Sequence, residues 1–105
     1  MKFKIPFMED DYEVEMHTSI YENNHRLYVG LVDCADGGIF CDVSSNFPLE
    51  PNIEKDEFAL KSWGGLEQVA EFLLEKGIVE DTGKIAFSGH VSAQICKLGA
   101  NYKPD

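Results

Sequence analysis

Residues 67–77 read EQVAEFLLEKG, and the fold turns on how this run is read. Together with Leu66, its apolar residues fall at Leu66, Val69, Ala70, Leu73 and Leu74. That is the i, i+3, i+4, i+7, i+8 spacing of a helix with one greasy face. The spacing predicts a helix from about Trp63 to Lys76 with Ser62 as N-cap, or from Leu66 if Gly64 and Gly65 weaken the first turn. Gly77 ends it as a left-handed C′ residue, and Ile78 at C″ packs back on Leu73. Glu67, Glu71 and Glu75 recur at i, i+4 on the solvent side. Each like-charged pair costs only about 0.2–0.5 kcal/mol, so the row is either a solvated face or a recognition surface. Phe72 lies off the apolar stripe, beside Gln68 and Lys76, either packed beneath a neighbouring loop or free to anchor a partner.

Before this helix the pattern has period two, that of half-buried strands. Phe3, Ile5 and Phe7 alternate in Lys2 to Phe7, and Tyr12, Val14, Met16 and Ile20 alternate in "YEVEMHTSIY" (12–21). "ENNH" (22–25) has turn chemistry, since asparagine tolerates left-handed angles and bonds its own main chain. "RLYVGLVDC" (26–34) then buries Leu27, Val29 and Leu31. A three-residue loop, Asp36-Gly37-Gly38, returns the chain as "IFCDVS" (39–44). In that register Cys41 faces Asp33, while Ile39, Cys41 and Val43 join the core face and Asp42 and Ser44 meet solvent. Pro48 and Pro51 break the chain's regularity. "EKDEFALKSW" (54–63) reads as a short helical turn, "EDTGK" (80–84) as a polar turn, and Ile85 to Leu98 as extended with an interruption at Ser88-Gly89. Residues 99–105 read as a fraying tail.

Strands, then a helix, then a strand predict one α+β domain over residues 1–105. One antiparallel sheet of four to five strands packs a face on one main amphipathic helix. The other sheet face is polar.

The chain has 105 residues and a formal net charge of −10, from nineteen acids against nine bases. No basic footprint exists for nucleic acid or anionic lipid, so neither is an expected direct partner. No apolar run approaches membrane-spanning length, and acids follow "MKFKIPFM" too early for a secretory leader, which predicts a cytoplasmic protein. Three cysteines, Cys34, Cys41 and Cys96, lack CxxC spacing and predict free thiols.

His17, His25 and His90 show no HxH, HxxxH or HExxH spacing, so no metal site is predicted. GxSxG, GxGxxG and Walker A patterns are missing, and with them any cofactor or catalytic assignment. The residual enzyme reading is a site near His90 with Ser88 or Cys96.

Four stretches, "NNHRLYVGLVD" (23–33), "SSNFP" (44–48), "LKSWGGLEQVAEFLLEKGIVEDTGK" (60–84) and "SGHVSAQICKL" (88–98), resemble the small bacterial proteins grouped as DUF4313. The resemblance implies an intracellular protein associated with mobile genetic elements, and it carries no catalytic residues. Asn24, Gly77, Gly83 and Gly89 have structural roles at turns, Trp63 covers one end of the core, and Arg26 pairs with an acid across the sheet.

The expected function is therefore non-enzymatic protein–protein contact through an acidic surface, with Glu67, Glu71, Phe72 and Glu75 as the contact residues. The first alternative is DNA mimicry against a restriction-type enzyme. Glutamates every ~5.4 Å along a helix, and Glu13 and Glu15 ~6.8 Å apart on a strand, match a phosphate backbone in scale. An exposed edge strand offers a route to a homodimer.

Overall fold

The computed structural model describes residues 1–104. Strands β1 (Lys2–Phe7), β2 (Asp10–Ile20), β3 (Leu27–Asp33) and β4 (Ile39–Asp42) form one antiparallel sheet in chain order. Strands β5 (Ser44–Ser45), β6 (Glu57–Leu60), β7 (Val79–Ser88) and β8 (Val91–Leu98) form a second, in the order β5-β6-β8-β7. The helix α1 (Glu67–Glu75) packs on β1 and β7, the edge strands of the two sheets. The class is α+β, with two four-stranded sheets in place of the single sheet of four to five strands. Among the described residues no helix is long and apolar enough to cross a membrane.

The period-two readings hold for β1 to β3 except at the end of β2, where Ile20, expected on the core face, is 55% exposed. Met16 pairs with Leu31 and Val14 with Asp33, and Ile5, Val14, Met16, Val29 and Leu31 are buried on one face. That face meets Phe58 and Leu60 of β6, Val69, Ala70 and Leu73 of α1, and Ile78, Val79 and Cys96 in the main core.

The β3–β4 hairpin corrects the expected register. Cys41 faces Leu31, not Asp33, and Ile39 faces Val32, so Phe40 is the extra residue of a bulge. The bulge turns Phe40 inward against Phe7 and Tyr12, with centroids at 5.5 and 5.2 Å. Ile39, expected in the core, is 78% exposed instead.

Beyond β4 the chain changes sheets. The N–H of Val43 donates to Val29 of the first sheet, and its carbonyl accepts from Lys61 beside the second. This corner buries Ser44, expected in solvent, whose Oγ accepts the Val29 N–H at 2.9 Å and bonds the Tyr21 hydroxyl at 2.9 Å.

The expected helical turn over 54–63 is also overturned. Its centre is β6, paired with β5 and β8. Phe58 and Leu60 enter the main core, while Ala59 faces a second cluster with Phe47, Ala86, Ala93 and Ile95, partly covered by Trp63. A strand buried on both faces loses its alternation, and "FALK" then resembles a helix. Trp63 thus covers the far face of the second sheet, with its ring 6.3 Å from that of Phe47.

The 80–84 segment belongs to β7, with a register shift between Asp81 and Lys84, and the β7–β8 turn is Gly89-His90. At the 22–25 turn Asn24 bonds the Arg26 N–H, but the left-handed residue is His25, at φ 58°. The tail expected to fray is hydrogen-bonded: Gly99 N–H donates to Ile78, Asn101 N–H to Gly77, and Asn101 Nδ2 to Lys76.

Candidate functional site

The helix places its end as its sequence dictates and its start otherwise. At the C-terminus, Gly77 has φ 68°, Ile78 N–H donates to Leu73 at 3.0 Å, and Gly77 N–H donates to Leu74 at 3.1 Å. This is the Schellman pattern, in which orphan carbonyls are satisfied by a left-handed glycine and the residue after it. At the N-terminus Ser62 is not the cap. Gly64 and Gly65 have φ of 67° and 90°, so the helix begins after Leu66, which makes no side-chain cap.

The Glu67 carboxylate turns back to accept the Gly65 N–H at 2.9 Å. Glu67, Glu71 and Glu75 are all exposed, yet this bond separates Glu67 from the other two. Among the described residues the carboxylates of Glu71 and Glu75 take part in no hydrogen bond or ion pair. They line an open cleft of about 260 Å³ with Pro6, Gln68 and Phe72.

The cleft runs between β1 and α1. Its floor is Phe72, half-buried, whose ring lies almost parallel to that of Phe3 on β1, 15° apart with centroids at 6.2 Å. Phe72 is therefore packed against a strand, where a loop was expected. Lys76 Nζ lies 5.8 Å from the same ring centroid, within the range at which a cation is drawn to an aromatic face. Gln68 Oε1 accepts the Met8 N–H at 3.1 Å and so ties the β1–β2 turn to the helix. Met8 has φ 52° and is 74% exposed at that turn. Glu9, Asp10 and Asp11 follow it, all exposed.

Of the expected contact residues, the structure brings Glu71, Phe72 and Glu75 to one cleft and leaves Glu67 at the helix start. Gln68 and Pro6 complete the lining. Gln68 was within reach of the helix periodicity, one turn before Phe72. Pro6 comes from a strand far away in sequence and left no local signal.

Two further clefts differ in how their acids are engaged. One, of about 530 Å³, is lined by Leu74, Gly77, Val79, Glu80, Asp81 and Ala100. There Asp81 accepts the Gly83 N–H and Gln94 Nε2, and Glu80 faces Lys97 at 3.8 Å. The other, of about 400 Å³, lies around Asp11, Tyr12, Glu13, Asp33, Cys34 and Ala35. Asp33 is there held by the Ala35 N–H. Neither His90 nor Tyr28 lines any of the three.

Of the enzyme constellation, His90 and Cys96 do not come together, while Ser88 and His90, two residues apart, are both exposed at the β7–β8 turn. His90 is exposed in the β7–β8 turn, while Cys96 lies buried towards the far end of β8. Burial first, and Asp81 second, push the Cys96 thiol up to about 12, opposite to the activation a nucleophile needs. Cys34, Cys41 and Cys96 are free thiols. Among the described residues no three His, Cys, Asp or Glu side chains form a metal-ligand group.

The acids of the β1–β2 ladder lie across from lysines. Glu13 faces Lys4 and Glu15 faces Lys2 across the β1–β2 ladder, and Glu15 lies 3.3 Å from His17 Nε2. Arg26 reaches not an acid side chain but the main-chain carbonyl of Glu50, at 2.6 Å.

Compared with protein-family models, with curated proteins and with solved structures, the chain gives no match. The resemblance to the DUF4313 proteins thus rests on its motifs alone.

Proposed function

We propose that this chain is a non-catalytic protein-binding domain whose cleft between β1 and α1 receives a basic segment of a partner protein. One observation carries the reading. Glu71 and Glu75, whose carboxylates have no hydrogen bond among the described residues, flank a half-buried aromatic ring in an open cleft, on the exposed side of α1.

The chemistry follows from the lining. An arginine or lysine stem lies along the Phe72 ring, and its charged head meets Glu71 and Glu75, where charge-assisted bonds are stronger than neutral ones. Lys76 already occupies the approach to that ring and would be displaced or joined by the incoming cation. The net charge of −10 steers a basic partner from a distance and repels acidic ones. We read the motif resemblance as adding the setting, a bacterial cytoplasm and a mobile genetic element. DNA mimicry calls for an unbroken row of carboxylates, and Lys2 and Lys4 interrupt the one on the sheet face.

Binding to a peptide array with arginine, lysine, neutral or acidic centres tests the proposal. Basic peptides are expected to bind, to shift the resonances of Gln68 and Phe72, and to weaken about tenfold or more in the Glu71→Gln/Glu75→Gln variant. Equal binding of acidic peptides, or unchanged affinity in that variant, would overturn it.

A further inference from the structure

The second sheet ends on β7, whose outer edge pairs with no strand. Ile85 and Phe87 of β7 lie across from Gln94 and Ser92 of β8 and share one face, where they are 46% and 64% exposed. This hairpin is also where the chain's acidity stops. Residues 82–104 contain no aspartate or glutamate, although the chain holds nineteen.

The Phe87 N–H points away from β8 and donates to Glu50 Oε2 at 3.0 Å. In an antiparallel ladder, a residue whose N–H faces outward also turns its carbonyl outward, and so does the residue two places along. Ile85 therefore presents its backbone on the same open edge.

Glu50 is held there from several sides. It is only 6% exposed, and its second oxygen accepts the Asn52 N–H at 3.1 Å. Arg26 Nη2 grips its carbonyl, and Lys84 Nζ reaches the Asn52 carbonyl at 2.8 Å. Residues 46–53 thus form a strap whose one buried carboxylate occupies an outward donor of the edge.

We infer that β7 is a latent self-pairing edge and that Glu50 guards it against a second copy of this chain. In antiparallel pairing about a two-fold axis at Ala86, Ile85 of one copy faces Phe87 of the other. Each such pair exchanges both N–H···O bonds, and the Phe87 donor it needs is the one Glu50 holds. The same register brings the Ile85 and Phe87 side chains of both copies together on one face, and sets Lys84 opposite Ser88. No carboxylate opposes another in the pairing segment, so two copies of an otherwise repelling chain can approach there. This inference is independent of the β1–α1 cleft.

The test is the oligomeric state of the full chain by sedimentation across a concentration series, with folding followed by circular dichroism. The wild type is expected to remain monomeric where Glu50→Ala dimerises, with a dissociation constant lowered about tenfold or more. Adding Ile85→Lys to Glu50→Ala is expected to restore the monomer. Glu50→Asp, which keeps the charge but shortens its reach, serves as a second unguarded variant should Glu50→Ala fail to fold. A folded, unguarded variant that stays monomeric throughout, or a dimer indifferent to Ile85→Lys, would overturn the inference.

Discussion

Phe3 on β1 and Phe72 on α1 stack with their rings 15° apart and centroids at 6.2 Å, joining the helix to the edge strand of the first sheet. The contact is structural as well as a cleft floor, so the two roles need separating. Phe72→Ala is expected to cost about 2 kcal/mol, less than a fully buried phenylalanine because the ring is half-exposed. Phe72→Leu should recover much of that stability while losing the aromatic face. Denaturant midpoints measure the first effect and basic-peptide affinity the second; equal stability in all three proteins would contradict the packing assigned here.

Gly99 approaches the backbone of Gly77 so closely that a Cβ would collide with the Gly77 carbonyl oxygen. Its own N–H donates to Ile78 at 2.8 Å, so the approach is fixed by a hydrogen bond. Neither main chain can yield cheaply, since Gly77 and Ile78 also terminate the helix. Gly99→Ala is therefore expected to destabilise the protein by about 2 kcal/mol or more. A thermal unfolding curve indistinguishable from wild type would show that the tail does not pack as described.

Two carboxylates contribute to the acid side of the stability profile. Glu50 titrates below the ordinary glutamate value of 4.5, chiefly because the Phe87 N–H, and then the Asn52 N–H, bond its charged form. At Glu57 burial acts first and raises the pKa, but the bonds from Lys84 and the Glu54 N–H outweigh it and the net direction is down. A carboxylate depressed in the folded state stabilises above its unfolded pKa, and loses that contribution as pH falls through its folded one. Urea midpoints are expected to be level above about pH 5 and to fall below it. Glu50→Gln/Glu57→Gln should flatten that fall, and an unaltered slope would assign it to other groups.

How far the sequence speaks depends on whether an element's burial is one-sided. β1 to β3 bury one face, so Ile5, Val14, Met16, Val29 and Leu31 stand out by alternation. The helix end was legible because Gly77 and Ile78 act through local main-chain bonds. β6 was not, since Phe58 and Ala59 are buried on opposite sides of the same strand. The β3–β4 register failed through one inserted residue, Phe40, whose inward turn depends on Phe7 and Tyr12 from distant strands. At the site, Glu71, Phe72 and Glu75 follow from helical spacing, whereas Pro6 joins them only through tertiary packing. Glu50, between Pro48 and Pro51, reads as one loop acid among many until its partners fold against it.

The three thiols should separate by reactivity. Cys34 is exposed beside the β3–β4 turn, whereas Cys41 and Cys96 are buried. Burial pushes Cys41 up to about 11, with Asp42 adding to it, and Cys96 up to about 12. Thiolate is the reactive species, so both inner cysteines are doubly protected, by access and by protonation. A maleimide or iodoacetamide pulse on the native protein is expected to label Cys34 alone, and all three cysteines after denaturation, as read by peptide mass spectrometry. The Glu71→Gln/Glu75→Gln variant should label identically, because its substitutions lie on the solvent side of α1. Native labelling of Cys96 at a rate near that of Cys34 would mean that β8 opens from the main core, and the packing of Phe58 and Leu73 around it would have to be redrawn.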